Sequence, residues 1–141
     1  MLTALDTNVL LDILIPNEAF ADAAVAAIET AASEGMLVAC DTVYAEVGSQ
    51  FSTQRECDHF FSDNMIRVES ANRDALFLAS RIWLVYRKRG GKRTRILPDF
   101  LVGAHAQVQA NRLISRDRGF YRSSFPDLRV WDPSVNFNRG K

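Results

Sequence analysis

Short apolar segments alternate with longer helical patterns along the chain, and this alternation limits the fold more than any other sequence feature. The apolar segments cover residues 2–5, 36–40, 65–68, 113–115 and 128–131. Two helical patterns separate each of the first four segments from the next, and a turn separates the last two. Parallel strands need long crossover connections, which helices usually provide. We therefore expect an α/β fold, with a five-stranded parallel sheet flanked by helices on both faces.

Local signals indicate where the helices begin and end. Gly35 is a suitable residue to end the second helix. The expected caps of the next three helices are Thr42, Thr53 in a capping box with Glu56, and Asn72 or Ser70. Pro98 favours the first turn of a helix, so the last major helix is expected from Asp99 to about Gln109.

The size and composition of the chain fit one globular domain. It has 141 residues, 48% of them hydrophobic and 24% charged. We expect a single domain over residues 1–141, with a flexible polar tail from about Pro133. No apolar stretch is long enough to span a bilayer, and the N-terminus lacks the pattern of a secretory signal. Cys40 and Cys57 have neither metal-binding nor redox spacing and are expected to be reduced thiols, so we expect a cytoplasmic protein.

A net charge of zero conceals a strong asymmetry between the two parts of the chain. The first 54 residues contain eight acidic residues and no Lys or Arg, so all 17 basic residues follow them. Such a distribution suggests a basic partner for the acidic part and a polyanion for the basic part. Acidic solvent-facing helices are common, however, and the acidic part alone would not establish a partner.

Four acidic residues are expected to meet at one edge of the sheet. Asp6 directly follows the first strand, Glu46 lies early in the helix after the second strand, and Asp117 follows the fourth. Asp99 begins the helix that leads into the start of the fourth strand. That helix must therefore begin near the opposite edge of the sheet, where the strands have their carboxyl ends. Open α/β sheets place their chemistry along that edge. On its own, Asp99 could be a helix N-terminal charge and Asp117 a turn residue. Glu46, beside the apolar stripe of its helix, and Asp6, at the end of an apolar strand, are harder to explain in such a way.

A cluster of four carboxylates needs a cation, because like charges repel and each buried carboxylate is costly. Oxygen ligands without His or Cys suit Mg²⁺ or Mn²⁺ better than Zn²⁺. Such an ion can polarise a phosphodiester and activate a bound water. The residues therefore favour a metal-dependent hydrolase. Asp12 lies more than one turn along its helix and is interpreted as solvated, or as a residue behind the ligands.

Four motifs together resemble the PIN-domain ribonucleases, and more narrowly the VapC toxins of type II toxin–antitoxin modules. They are Leu-Asp-Thr-Asn-Val-Leu-Leu-Asp at residues 5–12, Val-Tyr-Ala-Glu-Val at 43–47, Leu-Pro-Asp-Phe-Leu-Val-Gly-Ala-His-Ala at 97–106, and Leu-Ile-Ser-Arg-Asp-Arg-Gly-Phe-Tyr at 113–121. The resemblance covers nearly the whole chain. It implies a PIN-like fold, a Mg²⁺- or Mn²⁺-dependent endoribonuclease, a homodimer, and neutralisation by a cognate VapB-type antitoxin.

The resemblance also assigns roles to individual residues. It implies that Asp6, Glu46, Asp99 and Asp117 are the catalytic and metal-binding acids. Asn8 and Ser115 match positions where the family uses a small polar residue to orient a carboxylate, although threonine is commoner at the position of Ser115. A basic segment leads into Asp99 and is expected to hold the RNA backbone. Its residues are Arg87, Lys88, Arg89, Lys92, Arg93 and Arg95.

Other interpretations fit the motifs less well. A phosphatase of the haloacid dehalogenase type needs a second Asp two residues after the first, where this chain has Asn8. A receiver domain needs an Asp after the third strand and a Lys after the fifth, and neither is evident. A nuclease outside a toxin–antitoxin pair and a non-catalytic RNA- or protein-binding module remain open. His59 and His105 are isolated and are expected to serve packing or the surface.

Overall fold

The computed structural model describes residues 1–15, 17–90 and 97–136. Its five strands are β1 (Leu2–Leu5), β2 (Met36–Cys40), β3 (Ile66–Glu69), β4 (Arg112–Ile114) and β5 (Val130–Trp131). The strands lie in the order β3-β2-β1-β4-β5, and every neighbouring pair is parallel. The predicted five-stranded parallel sheet is confirmed.

Helices connect the strands and flank the sheet, which confirms the α/β class. They are α1 (Thr7–Leu14), α2 (Ala21–Glu34), α3 (Asp41–Gly48), α4 (Gln54–Asp63), α5 (Arg73–Lys88), α6 (Leu97–Gln109), α7 (Arg118–Ser124) and α8 (Pro133–Asn136). The caps predicted at Thr53 and Asn72 are present, since each side chain accepts a hydrogen bond from the backbone N–H three residues later. Thr42 is not a cap, because α3 begins one residue earlier, at Asp41.

Two segments predicted to lack regular structure are helical. The turn expected between the last two strands is α7, whose Phe120 and Tyr121 are buried. Burial of these two rings stabilises the helix, which the polar residues at the start of the segment do not predict. The polar tail expected from Pro133 begins instead with α8, which packs against α2 and buries Pro133. The rest of the expected tail, residues 137–141, lies outside the described residues.

The strand order places β1 at the centre of the sheet and its carboxyl end at a topological switch point. The chain leaves β1 towards β2 and β3 on one side, and later returns to β4 and β5 on the other. Leu5 pairs with Ile114, and the N–H of Asp6 donates to the carbonyl of Ile114 over 3.0 Å. Ligands of open α/β sheets bind at such a switch point. The fold therefore places the ends of β1 and β4 side by side where chemistry is expected.

Contacts on two sides fix helix α6. Gly103 faces the ring of Phe125 so closely that a Cβ there would lie 2.6 Å from a ring carbon. The buried His105 lies 3.0 Å, from Nε2 to Oε1, from Glu69 at the end of β3. Gln109 donates to the same Glu69 oxygen over 3.1 Å. These contacts hold the helix whose first turn carries Asp99. They also confirm that His105 is a core residue.

The structure bears on two further expectations, the lack of a membrane span and the state of the two cysteines. None of the described helices is long and apolar enough to cross a membrane. Cys40 and Cys57 are both free and buried, as predicted for reduced core thiols.

Replacing Gly35 by alanine should destabilise the sheet. A Cβ at this position would lie 1.8 Å from the carbonyl oxygen of Met1, which accepts the N–H of Met36. The backbone must shift to make room, which typically costs about 1–3 kcal/mol. Gly35 thus ends α2 because of this close approach and not through a left-handed conformation, since its φ of 163° is extended.

Urea unfolding would measure the loss, with Gly48→Ala as the control. A Cβ at Gly48 would meet only Cys57 Sγ, at an ordinary 3.7 Å. The control should therefore be neutral or slightly stabilising. Equal stability of the Gly35→Ala variant and the wild type would contradict the close approach.

Candidate active site

Asp6 lies at the centre of the site, immediately after the central strand. Its side chain is buried, with 8% of its surface exposed. One carboxylate oxygen, Oδ1, accepts the N–H of Thr7 over 2.8 Å. The other, Oδ2, accepts the hydroxyls of Ser115 over 2.8 Å and Tyr121 over 3.0 Å. Three neutral donors therefore hold this carboxylate in one orientation.

The segment after β4 is built around Ser115. The Ser115 hydroxyl donates to Asp6 and accepts the N–H of Asp117 over 3.0 Å. Asn8 donates to the same hydroxyl over 3.3 Å and accepts the N–H of Arg116 over 3.1 Å. Ser115 thus contacts a carboxylate directly, whereas Asn8 acts on Asp6 through Ser115. The start of α1 and the segment after β4 are joined into one rigid unit.

Glu46 reaches the site from α3. The hydroxyl of Thr7, the residue after Asp6, donates to Glu46 Oε1 over 2.6 Å. Val43 and Val47 on the same helix are buried, which fixes the face of α3 that carries Glu46. Glu46 itself is exposed to solvent. This side chain therefore lies at the open side of the site, held beside Asp6 by one hydrogen bond.

Asp99 and Asp117 both lie near enough to Tyr121 for their charges to act on its hydroxyl. Burial and the neighbouring Asp6 raise the pKa of the Tyr121 hydroxyl, and the charges of Asp99 and Asp117 raise this pKa further. Asp99 lies in the first turn of α6, and the next residue, Phe100, packs against Phe120 with ring centroids 5.2 Å apart. Tyr121 therefore remains a neutral hydroxyl that donates to Asp6.

Burial dominates the electrostatics of Asp6. Loss of solvent, together with the smaller effect of the Glu46 charge, raises the pKa of the Asp6 carboxyl from 3.8 to about 6. The hydrogen bonds from Ser115, Thr7 and Tyr121 act in the opposite direction but do not offset the burial. A buried carboxylate held by neutral donors and near other acids is in a strained electrostatic state. A bound cation would relieve it.

Asp12 is not solvated, contrary to one of the two interpretations made from the sequence. It is 4% exposed and pairs with Arg116, whose Nε and Nη2 lie 2.6 Å and 3.1 Å from its two carboxylate oxygens. The guanidinium also lies over the ring of Phe20, 4.0 Å from its centroid. Asp12 therefore fastens α1 to the segment between Ser115 and Asp117, behind the candidate ligands.

The predicted basic segment is only partly described. Arg87 and Lys88 form the exposed last turn of α5, and Arg89 follows them. Arg87 also lies over the ring of Trp83, at 5.2 Å from the centroid. Lys92, Arg93 and Arg95 lie outside the described residues. The structure therefore places the first three at the end of α5.

Sequence reasoning missed the roles of Thr7 and Tyr121. Thr7 links two candidate acids, because its N–H donates to Asp6 and its hydroxyl to Glu46. Tyr121 follows Asp117 by one helical turn, a spacing that places two helical residues on one face. That spacing would have indicated Tyr121 only if α7 had been recognised as a helix.

The donor set of this site fits Mg²⁺ or Mn²⁺. No three His, Cys, Asp or Glu side chains within residues 1–15, 17–90 and 97–136 are grouped to hold a metal ion by themselves. Mg²⁺ usually takes only one or two carboxylates directly and keeps water or phosphate oxygens as its other ligands. An ionised carboxylate has about four acceptor positions, and Asp6 uses three of them. Its remaining position can serve an ion.

The sequence profile of the PIN domain matches residues 3–126. Comparison with curated protein sequences found no significant match.

Solved structures of VapBC and FitAcB proteins share the fold. VapBC2 from Rickettsia felis, bound to a DNA fragment from its promoter, is 18% identical, with a TM-score of 0.73 over 93% of this chain and 98% of that chain. VapBC-1 from nontypeable Haemophilus influenzae is 19% identical, with a TM-score of 0.72 over 95% and 99%. FitAcB from Neisseria gonorrhoeae is 18% identical, with a TM-score of 0.70 over 93% and 97%. At such identities the likeness shows the fold, whereas the profile match covers most of the chain and shows its family. The chain belongs to the PIN domain family.

Proposed function

We propose that this chain is a Mg²⁺- or Mn²⁺-dependent endoribonuclease and the toxin of a type II toxin–antitoxin module. Membership of the PIN domain family supports a nuclease. The observation that carries the proposal is the buried Asp6 carboxylate, held by three neutral donors where the strand order reverses. Glu46, Asp99 and Asp117 act on Asp6 or on its partner Tyr121. A purely binding module would gain nothing from acids that repel phosphate.

In the proposed mechanism Asp6, Asp99, Glu46 and Asp117 are the residues that would hold the metal ion. When bound, Mg²⁺ would supply positive charge beside the phosphodiester and would lower the pKa of a water molecule. The chain itself provides orientation. Ser115 and Tyr121 fix one oxygen of Asp6, and the Thr7 N–H fixes the other.

Cleavage by the purified chain tests the nuclease directly. We expect single-stranded RNA to be cut in the presence of Mg²⁺ or Mn²⁺, and to remain intact after exhaustive chelation. Mapping the 5′ ends of cellular RNA after induction of the chain would identify the RNA and the cleavage position. Cleavage that persists in excess chelator would contradict the metal-dependent mechanism.

The basic segment at the end of α5 is the proposed contact for the RNA backbone. A variant with Arg89, Lys92, Arg93 and Arg95 changed to alanine should bind RNA less tightly and with weaker salt dependence. Each lost contact to single-stranded RNA should lower the slope of log affinity against log salt by roughly 0.7. Arg87 and Lys88 remain unchanged because they lie within α5. Filter binding over a range of salt concentrations would measure the slope. An unchanged slope would show that this segment does not contact the RNA backbone.

An antitoxin of the VapB type is the proposed partner, and the acidic part of the chain offers a surface for it. Asp22, Val25 and Glu29 are exposed and follow one another along one face of α2. An acidic face with an apolar centre suits an amphipathic segment that carries basic residues. Asp12 and Glu34 already form ion pairs within the chain, with Arg116 and Arg112 respectively, so they are less suited to bind basic residues of a partner. One similar solved structure is described as a toxin–antitoxin complex from Klebsiella pneumoniae, and others are described as VapBC.

Co-expression with the small reading frame beside this gene tests the partner. The wild-type chain should be toxic alone, tolerated with the partner and recovered with it in one complex, whereas Asp6→Asn should be harmless alone. Charge reversal at Asp22 and Glu29 should weaken the complex, and reversal at the exposed Asp127 should not. If the neighbouring product neither binds nor protects, the chain is a PIN nuclease outside a toxin–antitoxin pair. A homodimer is also part of the proposal.

A further inference from the structure

A recess lies between α5 and α7, apart from the four candidate acids. It has a volume of about 460 Å³, within the range of pockets that bind small organic groups. Val85 and Tyr86 from α5 form one wall, and Pro126, beyond the end of α7, forms part of the other. Val85 is 46% exposed, so this wall is open to solvent. Apolar walls with an aromatic ring suit a flat aromatic ligand.

The polar groups of the recess indicate what else that ligand carries. Among the described residues, the charged ones that line it are Arg81 and Arg89, and both are exposed. Two exposed cations suit phosphate groups. Ser123 and Ser124 line the recess from α7, and each hydroxyl can donate or accept a hydrogen bond. A flat ring with a hydrogen-bonding edge and a neighbouring phosphate describes a nucleotide.

The walls of the recess are joined to the two helices that place Asp99 and Asp117. The ring of Tyr86 packs against Phe100, the residue after Asp99, with centroids 5.3 Å apart. Helix α7 begins directly after Asp117, and its seven residues span about 10 Å. An RNA strand bound at these acids can therefore place a nearby nucleotide in the recess.

We propose that the recess binds one unpaired base of the RNA substrate, close in sequence to the bond that is cut. The base stacks on Tyr86 beside Val85, and the serine hydroxyls of α7 bond to its polar edge. Arg81 and Arg89 hold the phosphates next to it. Sequence-specific recognition of RNA commonly uses unpaired bases stacked on aromatic side chains. The inference rests on the proposed nuclease for its substrate and assigns the choice of sequence to this recess.

The charges favour RNA over a protein partner as the occupant. The partner proposed for the acidic face of α2 carries basic residues, which the two arginines of the recess would repel. Arg89 belongs both to the recess and to the basic segment that is proposed to hold the RNA backbone. The recess therefore continues the surface proposed for RNA.

Binding of short oligonucleotides in excess chelator tests the recess without cleavage. Labelled single-stranded RNA tetramers of each of the four bases would be compared, by fluorescence anisotropy, with an abasic tetramer of the same sugar–phosphate backbone. For at least one base, the wild type should bind the tetramer at least about 10-fold more tightly than the abasic chain, as expected for a stacked base. Equal affinity for the abasic chain and all four tetramers would overturn the proposal.

A carboxylate placed in the wall separates the recess from other contacts. Val85→Glu should remove most of the preference for base over abasic chain, because stacking a base there would bury the new charge. Repulsion of phosphates acts on both tetramers alike and cancels in this ratio. Val108→Glu is the matched control, because Val108 is 40% exposed on α6 and lies outside the recess. Equal losses of preference in the two variants would contradict the proposal.

Removal of the two hydroxyls gives a second test that does not depend on the folding of Val85→Glu. The double variant Ser123→Ala and Ser124→Ala should reduce the differences in affinity among the four bases. Unchanged differences would overturn recognition of the base edge by these serines. If Val85→Glu changed the affinity for the proposed antitoxin but not the preference for a base, the recess would belong to the protein partner, and the proposal would fail.

The same measurements distinguish failure of the recess from failure of the proposed nuclease. A chain that prefers base-bearing RNA through this recess but cleaves none would keep the base pocket and lose the nuclease. A chain that cleaves RNA but binds the abasic tetramer equally well would keep the nuclease and lose the base pocket.

Discussion

Replacing Asp99 by asparagine should abolish RNA cleavage while leaving the protein folded. The asparagine would keep the shape of the side chain but remove a charge from the proposed metal site. Loss of several kcal/mol of transition-state stabilisation corresponds to a fall in rate of about 100-fold or more. The free energy of unfolding should change little. Removal of an acid from the first turn of α6 costs about 0.3–1 kcal/mol, and reduced repulsion near Tyr121 and Asp6 offsets part of it.

Single-turnover cleavage in Mg²⁺ and a thermal unfolding curve would measure these two effects on the same preparation. Asp63→Asn is the matched control, because Asp63 is an exposed acid at the end of α4. This control should retain full activity. Wild-type rates for the Asp99→Asn variant would show that Asp99 is not part of the catalytic site.

The metal-free protein should lose stability as the pH rises from about 4 to about 6.5, because of Asp6. Its carboxyl has a pKa of about 6 in the fold and an ordinary value of 3.8. Between these values the folded chain holds a proton that the unfolded chain has released, so a rise in pH favours unfolding. This loss of stability is absent below the lower pKa and complete above the higher one. A shift of about two units corresponds to roughly 3 kcal/mol.

The difference in stability between the wild type and Asp6→Asn isolates this effect from other titrating groups. Asparagine is neutral at every pH, and the hydroxyls of Ser115 and Tyr121 can still bond to it. The variant should be close to the wild type at pH 4 and more stable by roughly 3 kcal/mol at pH 7. Urea unfolding in excess chelator would measure the difference, with the exposed Asp22→Asn as control. A difference that does not change with pH would show that Asp6 ionises at its ordinary pKa in the fold.

Addition of Mg²⁺ gives the same experiment a second readout. An ion that binds only the folded chain stabilises it in proportion to the logarithm of its concentration above the dissociation constant. The wild type should therefore gain stability at pH 7 with added Mg²⁺, and Asp6→Asn should gain much less. Equal gains would mean that the ion binds elsewhere.

The sheet could be predicted because its strands are local apolar runs. Residues 2–5 and 36–40 were predicted with the boundaries that the structure shows for β1 and β2. The fourth strand begins one residue earlier than predicted, at Arg112, a charged residue that a hydrophobicity pattern excludes. Arg112 is buried because it donates to Thr3 and pairs with Glu34, and both contacts join residues far apart in sequence. Such pairing cannot be inferred from the neighbours of Arg112 in the chain.

The candidate acids could be named from the sequence, but not all of the residues that hold them in place could. Asp6, Glu46 and Asp117 follow strands, and parallel topology alone brings strand ends to one edge. Tyr121 was missed because the stability of α7 comes from rings packed across the fold. Its Phe120 contacts Phe100 on α6, with centroids 5.2 Å apart. Residues that orient the acids thus depend on tertiary contacts, which the spacing of residues along the chain does not reveal.

The ion pair behind the site has a consequence for how this sequence can change over evolutionary time. The Arg116 side chain is 29% exposed and can turn towards water if Asp12 is lost, whereas the Asp12 side chain is 5% exposed and cannot. Loss of arginine first would leave a buried carboxylate without a countercharge, which is strongly destabilising. Substitution at position 12 should therefore precede substitution at position 116 along any lineage that loses the pair. Descendant sequences should contain a neutral residue with arginine far more often than an acid without its partner.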